Sequence, residues 1–185
     1  MKEHFFGGAM EFRESKTFVN LQAAYDMELM SSTRFEIYGD KATTDGFIDI
    51  SNMLNDISHQ EKAHAVIWLR YLNNGDIPST QQNLASAMEY QTEAGKEIYR
   101  EYARVAREEG FNDIAALFNG VANIELNHDL DLQTKLNNIN NNKEFCKDDE
   151  RLWICLNCGN IMSGICAPEI CPVCLFPQGY YAIFV

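Results

Sequence analysis

Glu61-Lys62-Ala63-His64 and Glu125-Leu126-Asn127-His128 are two copies of one pattern, and they decide the fold. Both lie in stretches whose apolar residues recur at helical spacing. Within a helix, a residue and the third one after it project from the same face, so each glutamate and its histidine can bind one metal ion. A single pair of this kind is weak evidence, but two matched pairs, 64 residues apart, predict a metal site built from two similar helix pairs.

Four long helical segments surround these pairs. Turn residues separate them at Asp45-Gly46, at residues 73–78, which include Gly75 and Pro78, and at Gly110. Short connections between long helices predict antiparallel neighbours in a mainly α four-helix bundle, and one connection is free to cross the length of the bundle. The predicted helices cover residues 17–44, 47–73, 79–109 and 111–140.

Glu28 is a candidate third carboxylate ligand. It lies midway along the first helix in the apolar stretch 27–30, where an unpaired carboxylate is costly unless it binds a cation. Dimetal carboxylate sites in four-helix bundles take a glutamate from each of two helices and Glu-x-x-His from each of the other two. Glu28 and the two repeated pairs fit this arrangement.

The fourth carboxylate is missing. If the two helix pairs are similar, the counterpart of Glu28 lies 63 or 64 residues later, where the chain has Gln91 and Thr92. Glu89 and Glu93 are both two residues from Gln91, which is about 200° around a helix. We therefore expect Gln91 on the inward side and the two glutamates at the surface.

Two C-x-x-C motifs indicate a second metal site near the C-terminus. They are Cys155-Leu156-Asn157-Cys158 and Cys171-Pro172-Val173-Cys174. Each places two sulfurs on one side of a tight turn, and two facing motifs form a tetrahedral four-sulfur site. The spacing alone leaves iron and zinc equally open, and zinc would have a purely structural role.

The other two cysteines, Cys146 and Cys166, fall outside this pattern and are expected to be packed or free thiols. All six cysteines lie in one C-terminal cluster, which is typical of a metal site rather than of a disulfide framework. A polar run after residue 136 marks the domain boundary, and the module that follows is too small to fold without a metal. The predicted domains are a bundle at 12–140, a linker at 141–151 and a four-cysteine domain at 152–185.

Composition limits the partners. The 185 residues include 27 acidic and 15 basic side chains, for a net charge of −12, and 46% are hydrophobic. Such a chain has enough apolar residues to fold but lacks the basic clusters that nucleic acids and anionic membranes require. It also has no apolar run of membrane-spanning length, and the stretch Phe5-Phe6-Gly7-Gly8 is too short for a signal-peptide core, so we expect a cytoplasmic protein.

Several longer runs resemble the rubrerythrin family, whose members join a ferritin-like di-iron bundle to a rubredoxin-like domain. The resemblance covers about residues 12–185, and the runs that carry it stand at 60–65, 103–111 and 167–172. They read Gln-Glu-Lys-Ala-His-Ala, Ala-Arg-Val-Ala-Arg-Glu-Glu-Gly-Phe and Ala-Pro-Glu-Ile-Cys-Pro. The last run, together with Trp153 before the first C-x-x-C motif, favours iron over zinc in the four-cysteine site.

The resemblance implies a peroxidase. Hydrogen peroxide would be reduced to water at a reduced di-iron centre, with electrons entering through the four-thiolate iron from a reductase or a rubredoxin-type donor. By matched position, Glu61 and Glu125 would bridge the two metals, Glu28 would be a terminal ligand, and His64 and His128 would be terminal nitrogen ligands. The family also implies a homodimer, with the cysteine module of one chain near the bundle of the other.

This chain departs from the family pattern on the third helix. Family members have Glu-x-x-Glu where this chain has Gln91 and Ala94, and the second of those glutamates exchanges with the histidine at position 64 when iron changes oxidation state. Phe35 also stands where the family commonly has a tyrosine, whereas Tyr99 keeps the other tyrosine. Two alternatives therefore stay open: an electron carrier whose dimetal site is weakened or partly occupied, and a structural zinc protein.

Overall fold

The computed structural model describes residues 11–184, so the stretch Phe5-Phe6-Gly7-Gly8 lies outside the described residues. The four predicted helices are confirmed, each to within a residue or so at its ends, and the third is interrupted by a π-helical turn. No helix between residues 11 and 184 combines the length and apolar character that a membrane crossing requires. The helices are α1 (Lys16–Thr44), α2 (Ile48–Leu72), α3 (Thr80–Glu93), the π turn Ala94–Ile98, α4 (Tyr99–Glu108) and α5 (Asn112–Asn140).

The chain divides into two compact units, and the boundary follows Pro78. The first contains the antiparallel pair α1 and α2. Their contact is made by small residues: Ser32 donates to the backbone oxygen of Ser58 at 3.0 Å, and a Cβ added to Gly39 would lie 2.7 Å from Asn55 Oδ1. This close approach fixes the register of the two helices and with it the positions of their candidate ligands.

The second unit contains the helices from α3 to α5 and the strand module. Helix α3 begins with a capping box, in which the Ser79 and Gln82 side chains each accept a hydrogen bond from the backbone of the other. At the π turn, an added Cβ on Gly95 would lie 3.0 Å from both the backbone oxygen of Ala122 and Cγ of Leu126 on α5. Glycine therefore allows the two helices to approach at this point.

Three antiparallel strands form the C-terminal module. They are β1 (Cys146–Cys155), β2 (Ile161–Cys166) and β3 (Tyr181–Ile183), in the order β2-β1-β3. Trp153 is almost completely buried, and its Nε1 donates to the backbone oxygen of Gly164 at 3.0 Å. The remaining core residues of the module are Cys155, Ala167, Cys171 and Tyr181. Two metal-ligand candidates thus make up part of a very small core.

The prediction of free thiols at Cys146 and Cys166 was wrong, because these two residues form a disulfide. They lie opposite each other in the register of β1 and β2, near the ends of the two strands. Their pairing depends on the sheet register, which the spacing of cysteines in the sequence does not reveal. The domain boundaries remain predictions, although the structure shows α5 continuing to Asn140 and β1 beginning at Cys146.

Candidate metal centres

Glu28, Glu61 and His64 come together in the first unit. One potential ligand atom from each lies within 4.8 Å of the others. Nδ1 of His64 is 3.6 Å from Oε2 of Glu28 and 3.9 Å from Oε2 of Glu61. The two carboxylates are partly buried, whereas half of the His64 side chain is exposed. The helix register of α1 and α2 therefore places one carboxylate–imidazole group on an accessible face.

The two glutamates of this group perturb each other. A hydrogen bond with Glu61 lowers the pKa of Glu28, and the same contact raises the pKa of Glu61. Trp68 lies near the other oxygen of Glu28, with 3.5 Å between Nε1 and Oε1, and also lowers the pKa of Glu28. Two carboxylates so close together favour either a shared proton or a bound cation. The donor set, oxygen with imidazole nitrogen, suits iron.

The second unit contains the other Glu-x-x-His pair, Glu125 and His128. Nδ1 of His128 is 3.1 Å from Oε2 of Glu125. The contact of Gly95 with Leu126 aligns α3 with α5, which places Gln91, one helical turn earlier, at about the level of His128. Oε1 of Gln91 is buried and has no hydrogen-bond partner among the described residues. A buried acceptor without a partner is costly, and a cation would satisfy it.

The other residues of the third helix lie as the sequence predicts. Glu89 and Glu93 are exposed. Ala94 is buried at the start of the π turn and carries no ligand atom. π-Helical turns occur frequently at functional sites. Gln91, whose side-chain oxygen is buried and has no partner among the described residues, is therefore the candidate metal ligand on α3.

The four cysteines of the two C-x-x-C motifs form the other candidate centre. The Cys155 and Cys174 sulfurs are 3.7 Å apart, as are those of Cys158 and Cys171, and all four lie within 4.8 Å of one another. A tetrahedron of sulfurs bonded at about 2.3 Å to a central metal has edges of about 3.8 Å. The sulfurs thus already have the spacing that a tetrahedral metal requires.

The surroundings of two of these sulfurs shift their pKa values in opposite directions. The Tyr181 hydroxyl lowers the pKa of Cys171 to about 6, and the pKa of Tyr181 rises to about 12. At Cys158 the backbone amide of Asn160 favours the thiolate, but the neighbouring sulfur of Cys174 and the loss of hydration outweigh it and raise the pKa to about 12. Without a cation the four sulfurs cannot all ionise together. A bound metal holds all of them as thiolates.

Comparison with known proteins identifies the family. The sequence model of the Rubrerythrin family matches residues 19–136 and 82–151, and that of the rubrerythrin rubredoxin-like domain matches residues 153–182. The chain belongs to the rubrerythrin family. Its ferritin-like and rubredoxin-like domains are those predicted from the sequence, its cofactors are iron, and its function is non-haem iron redox chemistry.

Individual rubrerythrins are similar to this chain over most of their length. Rubrerythrin-1 of Clostridium acetobutylicum is 32% identical over 184 residues, which covers 91% of this chain and 94% of that protein. Rubrerythrin of Clostridium perfringens is 33% identical over 185 residues, which covers 92% of this chain and 95% of that protein. Rubrerythrin of Nitratidesulfovibrio vulgaris is 31% identical over 180 residues, which covers 91% of this chain and 94% of that protein.

Two residues near the candidate centres do not belong to either metal motif. Trp68 follows His64 by four residues, so the helical spacing that identified the Glu-x-x-His pairs could have placed it beside Glu28. Tyr181 follows the second C-x-x-C motif at a distance, and its contact with the core that holds Cys171 arises because β3 pairs with β1, which places Tyr181 opposite Cys155. No local sequence signal predicts that contact.

Proposed function

We propose that the chain reduces hydrogen peroxide to water at a dimetal site that combines the candidate ligands of the two units. The observation that carries this proposal is the group Glu28, Glu61 and His64, whose ligand atoms lie within 4.8 Å of one another on a partly exposed face. The proposed ligands are Glu28, Glu61, His64, Gln91, Glu125 and His128.

The carboxylates and the histidine of this site have different roles in the proposed reaction. Reduction of one peroxide molecule consumes two electrons and two protons, and two ferrous ions supply the electrons when they are bound. Glu28 and Glu61 supply negative charge at the centre, and their mutual contact favours replacement of a shared proton by a cation. His64 supplies a nitrogen ligand beside these two carboxylates.

The four-cysteine site is proposed to relay electrons to the dimetal site. Its sulfur spacing supports a tetrahedral iron, which exchanges one electron at a time. The relay is refilled by an electron-donating reductase or a rubredoxin-type donor. We also propose a homodimer, as the family resemblance implies.

One alternative is supported by a specific observation. Gln91 is neutral and Ala94 carries no ligand atom, so the third helix supplies no negative charge to the dimetal site. Ferric iron favours anionic oxygen over a neutral amide oxygen. An electron carrier with one metal in the bundle, or none, is therefore the second candidate function.

Peroxide-dependent oxidation of the reduced protein tests the proposal. The anaerobically reduced protein is mixed with hydrogen peroxide, and the absorption of the ferric four-thiolate site is followed in time. We expect fast oxidation, with one peroxide consumed for every two electrons. In the Glu61→Ala variant oxidation should slow greatly, whereas Glu89→Ala, a change at an exposed residue of α3, should leave the rate unchanged. Equal rates in the unmodified protein and the Glu61→Ala variant would show that peroxide is not reduced at the proposed site.

A further inference from the structure

The two helix pairs are copies of each other beyond their ligands. Gly46 ends α1 and Gly110 ends α4, both in the left-handed region, with φ of 84° and 88°. The next residue, Phe47 or Phe111, donates its backbone hydrogen to the oxygen five residues earlier, at 2.9 Å and 2.8 Å. Each phenylalanine then precedes the first residue of the next helix. The 64-residue repeat therefore includes the turn of each pair.

The repeat continues along one face of α2 and of α5. In each helix a row of apolar residues leads to the histidine of the Glu-x-x-His pair, at spacings that keep the row on one side. Much of this row is exposed, including 53% of Met53 and 70% of Leu117. Apolar rows of this length are normally covered. The row on α2 is Ile50, Met53, Ile57 and His64, and that on α5 is Ile114, Leu117, Val121 and His128.

The direction of the helices fixes what the connection from α2 to α3 must span. Ferritin-like bundles contain one connection that crosses the length of the bundle. Leu72, the end of α2, is about 12 Å beyond His64, and Thr80, the start of α3, is about 17 Å before Gln91, at 1.5 Å per residue. In one bundle these two ends would lie on opposite sides of the metal level, about 29 Å apart along the axis.

The connection is too short for that span. Only residues 73–79 separate the two helices, and even fully extended the eight steps from Leu72 to Thr80 reach about 28 Å, with nothing left for the sideways distance between the helices. The first three are not extended, because Asn73 donates to the backbone oxygen of Leu69 and Gly75 donates to that of Arg70. The five steps from Gly75 to Thr80 reach about 17 Å, well short of what is needed.

We propose that two copies of this chain exchange their helix pairs. Helices α1 and α2 of one copy pack on α3 to α5 of the other, so that each dimetal site takes Glu28, Glu61 and His64 from one chain and its remaining ligands from the second. The occupant of each exposed apolar row is then the matching row of a second copy. This proposal rests on the dimetal site proposed above, and a short connection of this kind favours exchange.

Mixed dimers test the exchange. One variant carries Glu61→Ala and His64→Ala, and a second carries Glu125→Ala and His128→Ala. The two are co-expressed with different tags, and the dimer that holds both tags is purified. If pairs are exchanged, one of its two sites has every ligand and the other lacks all four substituted ones. We expect the mixed dimer to hold about half of the dimetal iron of the unmodified dimer, and each variant alone to hold almost none.

The length of the connection provides the control. Insertion of about twelve glycine and serine residues between Asp76 and Ile77 lets each chain close its own bundle. Lengthened variants that are co-expressed in the same way should then hold almost no dimetal iron, whether or not they still copurify, whereas the same insertion between Asn141 and Asn142, beyond the end of α5, should preserve the iron of the mixed dimer. Iron-free mixed dimers without any insertion would overturn the exchange and indicate that α3 runs antiparallel to α2 within one chain.

Sedimentation separates failure of the exchange from failure of the proposed function. A chain that is monomeric at micromolar concentration and holds two bundle metals would overturn the exchange and leave the function intact. If no preparation holds bundle iron, the proposed function fails. The exchange is then supported by a dimer that becomes monomeric when residues 73–79 are lengthened, and overturned by a mass that does not change.

Discussion

Tyr181 and Cys171 share the small core of the strand module, and the Tyr181 hydroxyl, which makes no hydrogen bond among the described residues, lowers the pKa of that cysteine to about 6. The same interaction stabilises the more negative, reduced state of an iron held by this sulfur. Tyr181→Phe should therefore lower the reduction potential of the four-cysteine site, as measured by redox titration of its visible absorption. Tyr180→Phe, a change at the exposed neighbour, is the control and should leave the potential unchanged. An equal potential in both variants would contradict the assigned role of the hydroxyl.

Gln91→Glu should raise the metal content of the bundle. The change places a carboxylate where a buried amide oxygen now has no partner, and an anionic ligand holds ferric iron better than a neutral one. Even changes beyond the direct ligands alter metal affinity by about 10–100-fold, so we expect at least that gain for the second metal. Elemental analysis during titration with chelator measures it.

The matched control for Gln91→Glu is Glu89→Gln, which alters charge on the exposed side of the same helix. It should leave metal content unchanged. Adding Ala94→Glu to Gln91→Glu should restore both third-helix carboxylates and make the ligation of His64 depend on oxidation state, which crystal structures of the two states would show. Two fully bound metals in the unmodified oxidised protein, with Gln91 remote from both, would contradict the role assigned to this residue.

Glu61→Gln should stabilise the metal-free protein while it weakens metal binding. Contact with Glu28 raises the pKa of Glu61, so the stability that protonated Glu61 contributes is lost as the pH rises through that pKa. Glutamine stays neutral and can still donate to Glu28. We expect a higher melting temperature in the presence of EDTA at pH 7 and a smaller difference at pH 4. Asp56→Asn on the same helix is the control, and a lower melting temperature for Glu61→Gln would refute the prediction.

Gly95→Ala should destabilise the second unit by about 1–3 kcal/mol, the usual cost of forcing an extra carbon into packed structure. The added Cβ would lie 3.0 Å from the Ala122 backbone oxygen, which cannot move without shifting α5. Gly120→Ala, on α5, meets nothing within 4 Å and should stabilise the helix by about 0.5–1 kcal/mol. Denaturant unfolding of the two variants measures the difference, and effects of the same sign would contradict the helix contact.

Most of the helical architecture could be predicted from local patterns. Turn residues such as Gly46 and Gly110 end helices through their own backbone preference, and apolar spacing identifies the segments between them. The π turn at Ala94–Ile98 could not be predicted, because no local pattern marks it, and the close approach of Gly95 to α5 within it is a contact distant in the sequence. The disulfide also depends on contacts distant in the sequence, since the register of β1 and β2 determines it.

The candidate sites also have parts that local spacing predicts and parts that it does not. Helical spacing suffices to place Glu61 beside His64 and Glu125 beside His128, and the register of α1 on α2 adds Glu28. Which chain supplies each half of the dimetal site depends on the length of a connection and the direction of two helices. Motif spacing contains neither quantity, so the metal roles of these residues remain predictions.

The disulfide between Cys146 and Cys166 affects how the chain tolerates an oxidant. Peroxide attacks free thiolates and converts them to sulfenic and then to irreversibly oxidised acids. Of the six cysteines, four have the arrangement of metal ligands and the other two are already joined to each other. A metal-loaded chain therefore has no spare thiol for peroxide to consume, and its cysteine sulfur is protected from the substrate that we propose it reduces.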